Sequence, residues 1–200
     1  TILDQLGRMT TELGTSVLLI THDLGLAAER AARVVVMHRG RIVEQGPARQ
    51  ILEDPQHPYT QSLVQAAPSV AVARLRPEAF TTPTPDAAPK SVDNIVEVEG
   101  LTKLYKVRGQ KEDFAAVRDV SFSIPRGETV AIVGESGSGK TTTARMLLKV
   151  VDPTEGVIRY DGADVASLKG RQLREFRQKV QPIFQDPYSS LNPMFTIERI

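Results

Sequence analysis

Short unbroken apolar runs alternate along this chain with stretches in which apolar residues recur every three or four positions. Ile2, Leu3, Leu6, Met9 and Leu13 sit at helical spacing, and Gly14 follows as a C-terminal cap. Ser16 to Ile20 is fully apolar after its first residue, as a buried parallel strand requires. Asp23 is placed to cap a helix over Leu24 to Ala32. Arg33 to Met37 reads as another buried strand, His38-Arg39-Gly40-Arg41 as a hairpin turn, and Ile42 to Gln45 as the returning strand. Short helices are expected over Ala48 to Leu52 and Tyr59 to Ala66.

The texture changes after Ala66. Five of the thirteen prolines (Pro68, Pro77, Pro83, Pro85 and Pro89) fall in one stretch poor in strand and core formers, so residues 67–93 read as a linker. Coil statistics give such a tether a mean span of about 30 Å. Beyond it, strands are expected at Asn94 to Gly100, Ala116 to Ile124, Thr129 to Val133, Val157 to Tyr160 and Val180 to Phe184. Helices are expected at Thr141 to Val150 and Arg171 to Gln178. The alternation predicts an α/β fold whose sheet has an antiparallel portion. It divides the chain into residues 1–66, the linker 67–93, and residues 94–200.

Composition narrows the chemistry by exclusion. There is no cysteine, so disulfides, thiolate metal sites and cysteine nucleophiles are ruled out. The 25 basic and 24 acidic residues nearly cancel, which gives no support to nucleic-acid binding through a basic field. The histidines, His22, His38 and His57, are too scattered for a metal site. The longest apolar runs are far below the ~20 residues of a membrane helix. Thr1 is not an initiator methionine, and Phe195 to Ile200 stops inside an apolar-periodic segment, so a piece of a longer polypeptide is expected.

The strongest chemical signal is Gly134-Glu135-Ser136-Gly137-Ser138-Gly139-Lys140-Thr141, which matches G-x-x-x-x-G-K-[ST] at every position. An apolar strand precedes it and an amphipathic helix follows. Glycines allow the tight path that turns successive N–H groups toward phosphate oxygens. The helix that starts there aims its positive end at the same place. Lys140 supplies a mobile charge for the terminal phosphates of a nucleotide, the Thr141 hydroxyl suits Mg²⁺, and Thr142 lies next in the same first helical turn.

From Asn94 onward the sequence resembles the start of an ABC-transporter nucleotide-binding domain. The resemblance rests on Leu101-Thr102-Lys103-Leu104-Tyr105, Val117-Arg118-Asp119-Val120-Ser121-Phe122, the phosphate loop, and Gln185-Asp186-Pro187. It implies a P-loop NTPase fold of the ABC ATPase type, and ATP with Mg²⁺ as cofactors. It also implies that Tyr105 stacks on adenine, although without the resemblance Tyr105 reads as an ordinary half-buried strand residue. Gln185 takes the place of the glutamine that touches Mg²⁺ and the attacking water.

Residues 1–66 resemble the end of another copy of that domain. Leu18-Leu19-Ile20-Thr21-His22-Asp23-Leu24 is similar to the segment whose histidine senses the γ-phosphate, which gives His22 a catalytic role beside Gln185. His38 and His57 read as structural or exposed. Two segments, His57-Pro58-Tyr59-Thr60-Gln61-Ser62-Leu63 and Gln185 to Pro193, resemble ATPases of oligopeptide and dipeptide importers, a group that includes nickel and glutathione importers. Some members fuse two ATPase domains in one chain, and the order found here fits such a fusion with both domains incomplete.

The family's signature Leu-Ser-Gly-Gly-Gln and its Asp-Glu strand end do not occur in this sequence. The resemblance therefore implies that His22 and Lys140 serve different nucleotides in the intact protein. It also implies membrane permease subunits, an external substrate-binding protein and a second nucleotide-binding domain as partners, without nucleic acid. The location implied is peripheral, at the cytoplasmic face of the membrane. The isolated chain is expected to bind nucleotide weakly and hydrolyse little, with Thr129 to Val133 left unpaired at an apolar edge. A soluble ABC ATPase acting on ribosomes or in DNA repair, and an inactive nucleotide-binding module, are the alternatives.

Overall fold

The computed structural model describes residues 2–66, 93–107, 109 and 112–183. The linker over residues 67–92 and the segment around Gln185 lie outside the described residues. In chain order the elements are α1 (Ile2–Leu13), β1 (Val17–Thr21), α2 (Leu24–Arg30), β2 (Arg33–His38), β3 (Arg41–Pro47), α3 (Ala48–Glu53) and α4 (Pro58–Ala66). After the linker come β4 (Asn94–Tyr105), β5 (Phe114–Pro125), β6 (Thr129–Val133), α5 (Lys140–Leu147), β7 (Glu155–Tyr160), β8 (Ala163–Asp164) and α6 (Gly170–Lys179). The fold is α/β, with one compact unit ending at Ser167 and a second beginning at Leu168.

The first unit holds two four-stranded sheets. One has the order β1-β6-β2-β3, and the other β5-β4-β7-β8. In the first sheet β6 runs parallel to β1 on one side, Val17 opposite Thr129 through Thr21 opposite Val133. It runs parallel to β2 on the other, Arg33 opposite Val130 through Val36 opposite Val133. This corrects the expectation of an unpaired edge at Thr129 to Val133. The physical reason lies in β1 and β2 themselves. Both are short apolar strands that, like β6, must lose their edges to water-free pairing. Backbone hydrogen bonds fix the register where the strands enter: Val17 donates to the Glu128 carbonyl at 2.9 Å, and Ala32 to the Thr129 carbonyl at 2.9 Å.

A core closes over this sheet. Leu24, Ala27 and Ala28 of α2 and Ile51 and Leu52 of α3 are buried with Val34, Val36, Ala131 and Val133, and Tyr59 and Leu63 of α4 pack against them. Asp23 caps α2 as expected, its carboxylate accepting from the Leu26 N–H at 3.1 Å. The apolar stripe of α1 is not fully covered, since Met9 and Leu13 are 41% and 72% exposed.

The second sheet is antiparallel, with two hairpins, β4-β5 and β7-β8, joined by the longer-range pairing of β4 with β7. β4 and β5 form a hairpin of two twelve-residue strands from Asn94–Pro125 to Tyr105–Phe114, broken by register shifts. β4 extends five residues beyond the Gly100 end that the pattern gives, because Leu101 is buried where the alternation resumes.

In the second unit α6 ends where the Val180 N–H returns to the Phe176 carbonyl at 2.8 Å. Residues 180–183 are not a strand, contrary to the expectation for Val180 to Phe184. A strand exists only by pairing, and among the described residues none pairs with them.

Candidate phosphate-binding site

β6 delivers the chain to Gly134 at the carboxyl ends of the parallel strands β1, β6 and β2, where ligands of open α/β sheets bind. Two glycines are dictated by contact. A Cβ at Gly134 (φ +153°) would lie 2.1 Å from the Met37 carbonyl oxygen, and one at Gly139 (φ +103°) 2.6 Å from that of Ala116. The loop is thus pressed between the end of β2 and the beginning of β5. The hairpin turn at Gly40 ties the same three parts together. Its N–H donates to the Ser138 carbonyl at 3.0 Å, and its carbonyl accepts from the Arg118 N–H at 2.7 Å.

Within the loop, Ser138 is buried and its N–H donates to the Glu135 carbonyl at 3.2 Å. Glu135, Ser136 and Gly137 are exposed. α5 begins at Lys140 with Gly139 as its cap and no side-chain cap hydrogen bond, so its first amides face the loop unclaimed by a capping side chain. The Lys140 ammonium donates to the carbonyls of Gly134 and Glu135, each at 2.7 Å, and to Ser138 Oγ at 3.3 Å. Burial pushes the Lys140 ammonium below its ordinary pKa, while the Glu135 charge pulls the other way. An anion entering the loop would relieve that desolvation. Thr141 is exposed and Thr142 half-buried in the first turn of α5. Glycines without Cβ atoms, an uncapped helix start, a half-buried ammonium and an exposed hydroxyl form a donor set that fits a phosphate chain carrying Mg²⁺.

The other sequence-derived candidates distribute unevenly. His22 is exposed and follows β1, whose last residue Thr21 lies opposite Val133. In this chain His22 and the phosphate loop therefore leave the same sheet edge on adjacent strands. Tyr105 ends β4 and is 38% exposed, opposite Phe114, on the hairpin whose Ala116 and Val117 abut Gly139. The Lys103 ammonium sits 5.4 Å from the Tyr105 ring centroid. Gln185 lies outside the described residues. Among the described residues no cluster of three or more histidine, aspartate or glutamate side chains could hold a metal ion.

Sequence reasoning passed over Tyr59 and read His38 only as structural or exposed. The Tyr59 hydroxyl accepts a hydrogen bond from the Glu135 N–H at 3.0 Å, and its ring lies 4.0 Å, centroid to centroid, from that of His38. The run His57-Pro58-Tyr59 was visible in the sequence, but only as a mark of kinship.

The family model for ABC transporters matches residues 117–200, and that for the C-terminal region of oligopeptide/dipeptide transporters matches residues 43–91. The glutathione import ATP-binding protein GsiA of Pectobacterium atrosepticum is 39% identical over 98% of this chain and 34% of that protein. Its namesake in Escherichia coli is 37% identical over the same shares of each. The chain spans about a third of the length of the curated relatives it matches. A dimeric post-hydrolysis structure of the ATP-binding cassette MJ0796, bound to ADP and Pi, is 34% identical over 42% of this chain and 35% of that one, with a TM-score of 0.38. The chain is thus similar to ABC transporter ATPases over residues 117–200 and to the C-terminal region of oligopeptide/dipeptide transporters over residues 43–91.

Proposed function

We propose that this chain is the junction of a two-domain ATPase that energises an ABC importer of peptide-type substrates. Residues 1–66 end the first nucleotide-binding domain, residues 67–93 link, and residues 94–200 begin the second. The observation that carries this reading is the phosphate cradle: an apolar strand, an eight-residue motif without mismatch, and a helix whose start no side chain caps.

In this reading the amides of Gly137 to Thr142 and the Lys140 ammonium hold the β- and γ-phosphates of ATP. Thr141 and Gln185 ligate the Mg²⁺ that accompanies it, and Tyr105 offers its exposed ring to adenine. Gln185 acts on the γ-phosphate and attacking water of this nucleotide and His22 on those of the first domain's nucleotide, each site completed by the signature and catalytic glutamate of the intact protein. Mg²⁺ supplies charge neutralisation at the leaving phosphate. Substrate never reaches these residues. Closure on ATP drives integral membrane permeases at the cytoplasmic face, and an external binding protein delivers the substrate. The relatives' names favour a small peptide such as glutathione among the possible cargoes. Among the described residues no helix is long and apolar enough to cross a membrane.

The test is uptake of labelled glutathione and dipeptides by cells carrying the intact parent protein, with and without Lys140→Ala. Loss of ATP-dependent uptake with permeases still assembled is expected. Undiminished uptake of every such substrate would contradict the reading.

A further inference from the structure

The segment after β3 is held with more care than a solvent-exposed tail needs. The Glu44 carboxylate accepts from the N–H groups of Gln56 at 2.9 Å and His57 at 3.1 Å. His57 Nδ1 accepts in turn from the Tyr59 N–H at 3.1 Å, so the histidine caps α4. Gln61 Nε2 reaches back to the Pro55 carbonyl at 3.0 Å. Thr60 and Val64 bury the inner face of α4, and the Tyr59 ring is fixed between that core and His38. The direction of the Tyr59 hydroxyl is therefore set by a chain of contacts, and it meets the N–H of the first residue after Gly134.

That residue, Glu135, has its carbonyl occupied from the other side by the Lys140 ammonium and the Ser138 N–H. Its N–H is turned outward to Tyr59. The first peptide of the loop is pinned from outside by a phenol and from inside by the residue that must shift to meet a phosphate. We propose that Tyr59 is a positioning residue for the phosphate loop: its hydroxyl holds the Glu135 amide and keeps the loop open when Lys140 leaves the Gly134 and Glu135 carbonyls for a phosphate. The tail that marks the oligopeptide/dipeptide branch thereby acts on the nucleotide site from 76 residues away in sequence. Burial pushes the Tyr59 phenol above its ordinary pKa, so it stays neutral across the physiological range.

The proposal rests on the nucleotide-binding reading for its consequence but not for its geometry, and the experiment separates the two. Tyr59→Phe keeps the ring against His38 and removes only the acceptor. In the full 200-residue chain without nucleotide, amide hydrogen exchange at Glu135 should speed up about five-fold, the worth of one ordinary hydrogen bond. Exchange at Ile132 and Val36, in the sheet beneath, should not change. Titration with Mg·ATP should then show affinity falling about five-fold. Unchanged exchange at Glu135 overturns the proposal. So does exchange that rises equally through the sheet, which would make Tyr59 merely structural, or a faster Glu135 amide with affinity unaltered. If the wild-type chain binds no Mg·ATP, the functional reading fails while the exchange measurement still decides whether Tyr59 sets the loop.

Discussion

The two sheets of the first unit are built on opposite plans. β5-β4-β7-β8 is antiparallel and drawn wholly from residues 94–164, each strand lying beside one that is near in sequence. β1-β6-β2-β3 takes its central strand from residues 129–133 and both of that strand's neighbours from residues 17–38. The antiparallel sheet needs a hairpin and the return of β7 to β4, which joins residues from Thr102 with Glu155 to Val96 with Tyr160. The mixed sheet, parallel at β1-β6-β2 and antiparallel at β2-β3, needs two distant parts of the chain to meet, and the phosphate loop hangs from the strand that only that meeting covers. Support for the site is thus non-local, while the hairpin that borders it at Ala116 is local.

The comparison breaks most visibly on deletion. Removing residues 1–66 strips β6 of both partners, and residues 67–200 should show no cooperative thermal transition by circular dichroism. A sharp transition would mean that the antiparallel sheet supports the loop unaided. Next in size are core truncations. Ile132 is fully buried in β6 between two strands, while Ile158 in β7 is buried but pairs on one side only, with Val98 of β4, since β8 reaches no further than Arg159 and Tyr160. Ile132→Ala should fall near the top of the ~2–5 kcal/mol range for such changes and Ile158→Ala near the bottom. Urea denaturation of both would reverse the comparison if the order were inverted.

A smaller effect follows from Glu44. Burial raises its pKa, but the hydrogen bonds it accepts, that from the Gln56 N–H foremost, outweigh that, leaving it below the usual carboxylate value. The unfolded chain therefore takes up the proton first as pH falls. The stability Glu44 contributes is fully present at neutral pH and is lost as pH drops through its lowered folded pKa. The stability gap between wild type and Glu44→Gln should accordingly close between about pH 6 and about pH 3. A gap that widens in acid would contradict the clamp. Smallest of all is Arg126→Ala. Arg126 bridges Asp93 and Asp161 at the margin of the antiparallel sheet, at 2.8 and 2.7 Å, but in solvent. Its loss should leave the denaturation midpoint within measurement error, as exposed ion pairs commonly do. A clear drop would give the antiparallel sheet an electrostatic support it does not otherwise need.

The phosphate loop was legible in one reading because its chemistry is contiguous: glycines, lysine and threonine at fixed offsets between a strand and a helix. The individual strands were legible for a similar reason, since apolar runs such as Val34 to Met37 mark burial without reference to a partner. Which strand lies beside which was not legible. β1 and β6 are both apolar throughout, so any register satisfies the pattern, and only contacts more than ninety residues apart in sequence choose one. The same limit applied to Val180 to Phe184, whose composition suits a strand that finds no described partner. It applied also to Tyr59, whose role depends on where Glu135 is in space. His57 reads from the sequence as structural or exposed, and its ring nitrogen, accepting at the start of α4, gives it a structural role.

The claim on which the rest depends is that residues 134–142 receive the phosphates of a nucleotide. Resonance-by-resonance titration of the 200-residue chain with Mg·ATP tests it most directly. Shifts concentrated at the amides of Gly137 to Thr142, and weakened about a hundred-fold by Lys140→Ala through loss of charge-assisted hydrogen bonds, are the predicted result. Amides in that loop that stay still at millimolar Mg·ATP, or that respond equally well without the Lys140 ammonium, would contradict it.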